Sequence, residues 1–111
     1  ESYLDFHGNK FTRRFDANSY ITLVNAMNSH DIARGRDSVE SALAKITATS
    51  LVVAISSDRL FPLEGQQIIA EGIKSKLVAD KLHVVESAFG HDGFLIERDT
   101  VGPLLRQLLE S

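Results

Sequence analysis

The hydrophobic pattern of the chain is centred on residues 51–55, an uninterrupted apolar run rich in β-branched side chains. A run without polar alternation predicts a strand that is buried on both faces, as in the parallel sheets of α/β proteins. The run stops at the polar turn 56–58, and a helix is predicted to begin at Pro62, where the missing N–H of proline costs nothing. Residues 81–86 predict a second strand, so the chain is expected to contain a β-α-β unit with two parallel strands.

Amphipathic spacing predicts further helices on both sides of this unit, because apolar residues recur three and four positions apart. The predicted helices are residues 2–7 ending near Gly8, residues 17–29 capped by Asp16, a helix capped by Asp37 together with Glu40, and a last helix that starts near Thr100 with Pro103 in its first turn. Two strands of the buried type cannot cover each other's edges. The prediction is therefore an α/β fold in which these strands belong to a larger sheet.

Composition narrows the class of protein. The 111 residues are 43% hydrophobic and 24% charged with a net charge of −3, which fits one globular domain or part of one. This balance gives no electrostatic basis for binding nucleic acid or an anionic membrane surface. No apolar run reaches the roughly 20 residues that a membrane-spanning helix needs. The absence of cysteine excludes disulfides and thiolate zinc sites within the chain, and it is compatible with a reducing cytoplasm.

Two polar residues stand just beyond the predicted carboxyl ends of the strands, Asp58 after the first and His91 after the second. Functional groups of open parallel sheets collect at this edge. An aspartate there can hold the Nδ1–H of a histidine, fix its tautomer and stabilise the imidazolium that forms when Nε2 takes a proton. Acid before histidine is also the order of the last two members of an α/β-hydrolase triad. Either residue alone is more often an ordinary loop side chain, but their joint placement favours catalysis.

The nucleophile of such a triad has no candidate in the chain. A nucleophile elbow holds its serine between small residues, as in G-x-S-x-G. Ser56 and Ser57 lack flanking glycines, and Ser87 follows Glu86, so none of them fits. The nucleophile is therefore expected in an amino-terminal part of the protein that is absent from this chain. No metal site is predicted either, because the other histidines have no partner at ligand spacing.

Three stretches carry a family resemblance: Ser-Asp-Arg-Leu-Phe-Pro at 57–62, Gly-His-Asp-Gly-Phe-Leu at 90–95, and Arg-Phe-Asp-Ala-Asn-Ser-Tyr at 14–20. They resemble the homoserine O-acetyltransferase family, acyltransferases with the α/β-hydrolase fold. In that family such stretches surround the triad acid, surround the triad base, and lead from the helical lid back to the core. The resemblance implies the C-terminal part of an α/β-hydrolase fold, with residues 1–36 returning from the lid and residues 37–111 forming a βαβα portion of the core.

The resemblance also implies roles for individual residues. Asp58 would be the triad acid and His91 the general base of a protein that moves an acetyl group from acetyl-CoA, its co-substrate, to the hydroxyl of L-homoserine in methionine biosynthesis. No bound cofactor is implied. Asp92 would contact the amino end of the amino-acid substrate. An aspartate at this position is also suited to cap the helix expected at 93–97, and the two roles can coexist. The family further implies a cytoplasmic homodimer in which this chain works together with the remaining N-terminal part and is inactive by itself.

Two other interpretations stay open. One is another acyltransferase or an esterase of the same fold, such as a homoserine or serine O-succinyltransferase, since the residues that select donor and acceptor are expected upstream. The other is a non-enzymatic α/β binding module that is complete at this length. The module predicts a stable monomeric domain, whereas the transferase interpretation predicts exposed apolar surface.

Overall fold

The computed structural model describes residues 2–111 and forms two compact units, one ending at Asp31 and the other covering Ile32–Ser111. The first unit contains helices α1 (Tyr3–Arg14) and α2 (Ala17–Asn28). The second contains, in chain order, α3 (Val39–Leu43), β1 (Val53–Ile55), α4 (Leu63–Gly72), a 3₁₀ turn (Val78–Asp80), β2 (His83–Val85), a second 3₁₀ turn (Gly90–Asp92), α5 (Gly93–Ile96) and α6 (Arg98–Leu109).

Helix α1 begins with a capping box. The Oγ of Ser2 accepts the N–H of Asp5 at 3.2 Å, and the Oδ2 of Asp5 accepts the N–H of Ser2 at 3.2 Å. The helix then continues through Gly8 to Arg14, so the predicted end near Gly8 is wrong. A glycine inside a helix costs only about 1 kcal/mol relative to alanine. The capping box in the first turn and the basic residues in the last turn stabilise the helix by a similar amount, which offsets this cost.

Helix α2 confirms Asp16 as an N-cap, because its Oδ2 accepts the N–H of Ser19 at 2.9 Å. Within this unit the ring of Phe11 stacks on that of Phe15 with centroids 5.4 Å apart and meets Tyr20 edge-on at 5.8 Å. The two helices therefore meet through aromatic rings. Neither has a buried residue among the described ones.

In the second unit, β1 and β2 form a parallel sheet in which Val53 stands opposite His83 and Ile55 opposite Val85. An isolated bridge between Ser50 and Leu77 extends the pairing backwards. Both strands are shorter than the predicted runs, but their direction and the helix between them confirm the predicted β-α-β unit. The buried apolar residues of the core are Leu43, Val52, Ala54, Ile55, Ile73, Val78 and Val85.

Two predicted helix starts are wrong. Ser38, not Asp37, caps α3, because the Oγ of Ser38 accepts the N–H of Ser41 at 3.0 Å. Asp37 has a left-handed φ of 69°, whereas an N-cap residue needs extended backbone. Helix α6 starts at Arg98, which places Pro103 inside the helix and not in its first turn. Proline there removes one intrahelical hydrogen bond, so packing must hold this helix together.

Helix α4 ends against α3 at the buried Gly72. A Cβ at this position would lie 2.8 Å from the Cβ of Leu43 and closer still to its Cδ1. Because Leu43 is itself buried in the core, its side chain has little freedom to move away. Gly65 in the same helix differs, since a Cβ there would meet nothing within 4 Å.

The two glycines of α4 should therefore respond oppositely to alanine. Gly72→Ala should lower the free energy of unfolding by about 1–3 kcal/mol through overpacking, whereas Gly65→Ala should raise it by up to about 1 kcal/mol through helix propensity. Denaturant unfolding of the full-length protein carrying each change measures the difference. Equal effects of the two substitutions would contradict the close packing of α4 on Leu43.

Candidate active site

Asp58 lies in the turn that follows β1, where backbone donors hold its carboxylate. Its Oδ1 accepts hydrogen bonds from the N–H groups of Leu60 at 2.8 Å and Phe61 at 3.0 Å. Its own N–H donates to the carbonyl of Ile55 at 3.1 Å, which closes the turn on the end of the strand. These bonds fix the carboxylate and leave Oδ2 to face the neighbouring loop.

His91 lies in the loop that follows β2, and two glycines shape this loop. Gly90 has a left-handed φ of 58°, which glycine adopts without steric cost. Gly93 packs against the end of β1: a Cβ there would lie 2.7 Å from the Cγ2 of Ile55 and 2.9 Å from the Oγ of Ser87. The absence of a side chain at Gly93 therefore allows the histidine loop to lie close to the sheet.

The two predicted site residues meet at this edge, with Nδ1 of His91 2.9 Å from Oδ2 of Asp58. Since an ionised carboxylate only accepts hydrogen bonds, Nδ1 carries the proton and donates it, which leaves Nε2 unprotonated in the neutral ring. The side chain of Asp58 is only 6% exposed, whereas that of His91 is 42% exposed. The imidazole is thus accessible while its anionic partner is shielded, the arrangement that a general base needs.

Two phenylalanine rings flank this imidazole, and sequence reasoning did not single them out. The centroid of His91 lies 5.1 Å from that of Phe61 and 5.3 Å from that of Phe94, both in tilted geometry. With Asp58, Gln66 and residues of β1 they line a cavity of about 200 Å³. Their spacing could have indicated them, because Phe61 follows Asp58 by three residues and Phe94 follows His91 by three residues.

The pKa of Asp58 is held below its usual value, first by the N–H of Phe61 and then by the hydrogen bond from His91. Both donors favour the ionised carboxylate. Because this pKa is lower in the folded than in the unfolded state, the group adds stability above its unfolded pKa. That stability is lost as the pH falls through the folded pKa.

The two serines of the aspartate turn bond to the histidine loop. The Oγ of Ser57 accepts the N–H of Gly90 at 2.9 Å, and the Oγ of Ser56 accepts the N–H of Ser87 at 3.2 Å. Sequence reasoning considered these serines only as nucleophiles and missed this contact. The sequence offered one indication of this contact, namely that both serines directly precede Asp58.

Asp92 follows His91 and stands at the N-cap position of α5, yet its side chain makes no capping hydrogen bond. Its residue is exposed. The expected side-chain cap on this helix is therefore wrong, and Asp92 is open to solvent beside the histidine.

His83, the other histidine of the second unit, has a structural contact of its own. The Nε2 of His83 lies 3.1 Å from the carbonyl oxygen of Val78, an ordinary structural contact within the second unit. Across residues 2–111, no group of three histidine, aspartate or glutamate side chains is arranged to hold a metal ion. Nor is any helix in the described part of the chain long and apolar enough to cross a membrane.

Comparison of the sequence with known proteins shows the family to which the chain belongs. No protein-family model matches the chain. Proteins named homoserine O-acetyltransferase match it throughout: 61% identity over 111 residues for Leifsonia xyli, 55% over 111 residues for Clavibacter michiganensis and 52% over 109 residues for Thermobifida fusca. The alignments cover 100%, 100% and 98% of this chain. The chain belongs to the homoserine O-acetyltransferase family.

The chain spans only 28% of the length of each of these homoserine O-acetyltransferases and matches their C-terminal part. These relatives are acyltransferases of the α/β-hydrolase type. The two parallel strands with their flanking helices are therefore the C-terminal part of an α/β-hydrolase fold, as the sequence predicted. Asp58 and His91 lie in the segments that follow the two strands of that part.

The pKa of Asp58 should lie below that of an unperturbed aspartate. His91→Ala removes one cause of the lowered pKa but leaves the N–H donors of Leu60 and Phe61 in place. The pKa should therefore rise only part of the way towards the ordinary value. The carboxyl ¹³C chemical shift of Asp58, followed against pH, measures both values. A full return in His91→Ala would contradict the leading role of the backbone donors.

Proposed function

We propose that the whole protein transfers an acetyl group from acetyl-CoA to the hydroxyl of L-homoserine, with Asp58 and His91 as the acid and base of its catalytic triad. The observation that carries the proposal is the 2.9 Å contact between Nδ1 of His91 and Oδ2 of Asp58. It occurs in a chain 61% identical over its full length to a protein named homoserine O-acetyltransferase. The nucleophilic serine and the oxyanion hole would come from the N-terminal part of the protein.

In this mechanism the exposed Nε2 of His91 takes the proton of the nucleophilic serine as its oxygen bonds to the acetyl carbon. The carbon–sulfur bond of acetyl-CoA then breaks, and His91 returns the proton to the leaving thiolate. In the second half, Nε2 takes the proton of the homoserine hydroxyl, which attacks the acyl-serine. O-acetylhomoserine leaves as the proton returns to serine. Asp58 orients the ring and stabilises each imidazolium.

Further parts of the proposal rest on the family. Residues 1–36 would return from a helical lid and residues 37–111 would form the βαβα part of the core. A role in methionine biosynthesis, a cytoplasmic location and a homodimer are proposed on the same membership. Succinyl-CoA as donor, or serine as acceptor, is the alternative that the chain leaves open, because the residues that select between them would lie upstream.

Asp58→Asn should lower kcat of the full-length protein by about 10⁴-fold, the loss that removal of the triad carboxylate causes in a serine protease, while the fold is retained. Asp99→Asn, a surface carboxylate in the first turn of α6, is the matched control and should leave kcat unchanged. The assay follows release of CoA with acetyl-CoA and homoserine. Full activity of Asp58→Asn would remove Asp58 from the mechanism.

A panel of acetyl-CoA and succinyl-CoA against homoserine and serine, with a simple ester as a third donor, completes this test. Acetyl transfer to homoserine should be the fastest reaction. Hydrolysis of the ester without acylation of either amino acid would replace the proposal with an esterase. If succinyl transfer were the fastest reaction, the proposed donor would be wrong, whereas the proposed roles of Asp58 and His91 would be unaffected.

Asp92 is proposed to bind the amino group of the acceptor. Asp92→Asn should raise the KM for homoserine by roughly 10-fold or more, because a hydrogen bond to a charged group contributes about 1.5–3 kcal/mol. The acyl-serine forms before homoserine binds, so the KM for acetyl-CoA should not change and serves as the internal control. Steady-state kinetics with each substrate varied separately measure the two. Equal rises in both KM values would argue against acceptor binding by Asp92.

A further inference from the structure

We propose that Ser57 is a positioning residue of this site, whose hydroxyl holds the backbone of the histidine loop where His91 can bond to Asp58. The catalytic consequence rests on the proposed function. The structural consequence rests on the geometry of the two loops alone.

Two hydrogen bonds run side by side between the loops. Ser57 directly precedes Asp58, and Gly90 directly precedes His91. The bond from the N–H of Gly90 to the Oγ of Ser57 measures 2.9 Å, the same as the contact between His91 and Asp58. The bond to Asp58 restrains the imidazole of His91, and the bond to Ser57 restrains the backbone directly before it, so the two together restrain the orientation of the ring.

Gly90 needs such a partner. Its left-handed backbone belongs to neither a strand nor an α-helix, so its N–H has no place in a regular ladder. The hydroxyl of Ser57 supplies the acceptor. A Cβ on Gly90 would come only to 3.8 Å from the carbonyl oxygen of Ser57, so the glycine serves the backbone angle and not a lack of space.

Ser56 holds the base of the same loop. Its N–H donates to the carbonyl of Val85 at 3.0 Å and extends the strand pairing by one bond. Its Oγ accepts the N–H of Ser87 at 3.2 Å. Ser87 lies four positions before His91, whereas Gly90 is its immediate neighbour, so Ser57 has the more direct control over the imidazole.

Removing the hydroxyl of Ser57 should affect positioning more than folding. Ser57 is exposed, so water can take over the N–H of Gly90 at little cost in stability. The imidazole would lose its second restraint and sample poorer distances from Asp58. Misplacement of a reacting group by even about 1 Å can cost on the order of 100-fold in rate.

The kinetic test compares Ser57→Ala, Ser57→Thr and Ser75→Ala in the full-length protein. Ser57→Ala should lower kcat on the order of 10- to 100-fold with little change in either KM, and Ser57→Thr, which keeps the hydroxyl, should restore most of the rate. Ser75 is the control, because its hydroxyl also bonds to a distant backbone group, the carbonyl of Ala48 at 2.8 Å, but outside the site. A control loss equal to that of Ser57→Ala would overturn the proposal.

Two spectroscopic readouts test the geometry without any assay. The Nδ1–H proton signal of His91 should be sharp in the unaltered protein and broadened in Ser57→Ala. The Gly90 amide should exchange slowly in the unaltered protein and faster in Ser57→Ala. An unprotected Gly90 amide in the unaltered protein, or identical Nδ1–H signals in both proteins, would overturn the proposal.

The two proposals fail in different ways. Full activity of Asp58→Asn would end the proposed function, while the Nδ1–H and Gly90 signals would still decide the role of Ser57. Loss of the folded state in Ser57→Ala would contradict positioning, since the expected result is a loss of rate at unchanged stability. Thermal unfolding of each variant is therefore measured beside its kinetics.

Discussion

The in-register parallel pairing of β1 with β2 is the constraint on which the rest of the site depends. Ile55 stands opposite Val85, and the N–H of Ser56 bonds to the carbonyl of Val85, so both strands end at the same level. Neighbouring strands lie about 4.8 Å apart, a gap that one aspartate and one histidine side chain can span together. A slip of one residue would turn every side chain of a strand to the other face and move His91 away from Asp58.

Beside the buried residues of β1, the second unit exposes large apolar side chains of the kind that a larger core would bury. Ala54 and Ile55 are buried, whereas Ile68, Phe94 and Leu95 are about half exposed. An open cavity of about 740 Å³, lined by residues of β1, α4, α5 and α6, lies beside the strand. Exposed patches of this kind mark surfaces that another part of a protein covers. Because the relatives are more than three times as long as the chain, this pattern fits two strands and their helices that belong to a larger α/β-hydrolase core.

How far the sequence could predict the molecule depends on whether a feature is set locally. The contact between Asp58 and His91 could be predicted, because the sequence indicates where each strand ends and because parallel strands place their carboxyl ends at the same edge of the sheet. The cap of α3 is different: Asp37 and Ser38 are both good capping residues, and the choice depends on the left-handed backbone of Asp37, which the preceding loop determines. The ring of Phe61 was missed for a similar reason, because a phenylalanine in a loop looks the same whether it covers a core or an imidazole.

The hydrogen-bond donors that lower the pKa of Asp58 affect how Asp58 and His91 can work together. The largest cause of its lowered pKa is a backbone N–H, that of Phe61, which cannot change its protonation state. Each of these hydrogen bonds favours the ionised carboxylate, and the backbone donors remain in place whether His91 is neutral or carries a second proton. With backbone donors on Oδ1 and the imidazole on Oδ2, one oxygen anchors the aspartate to its own turn while the other orients the base through the whole proton cycle.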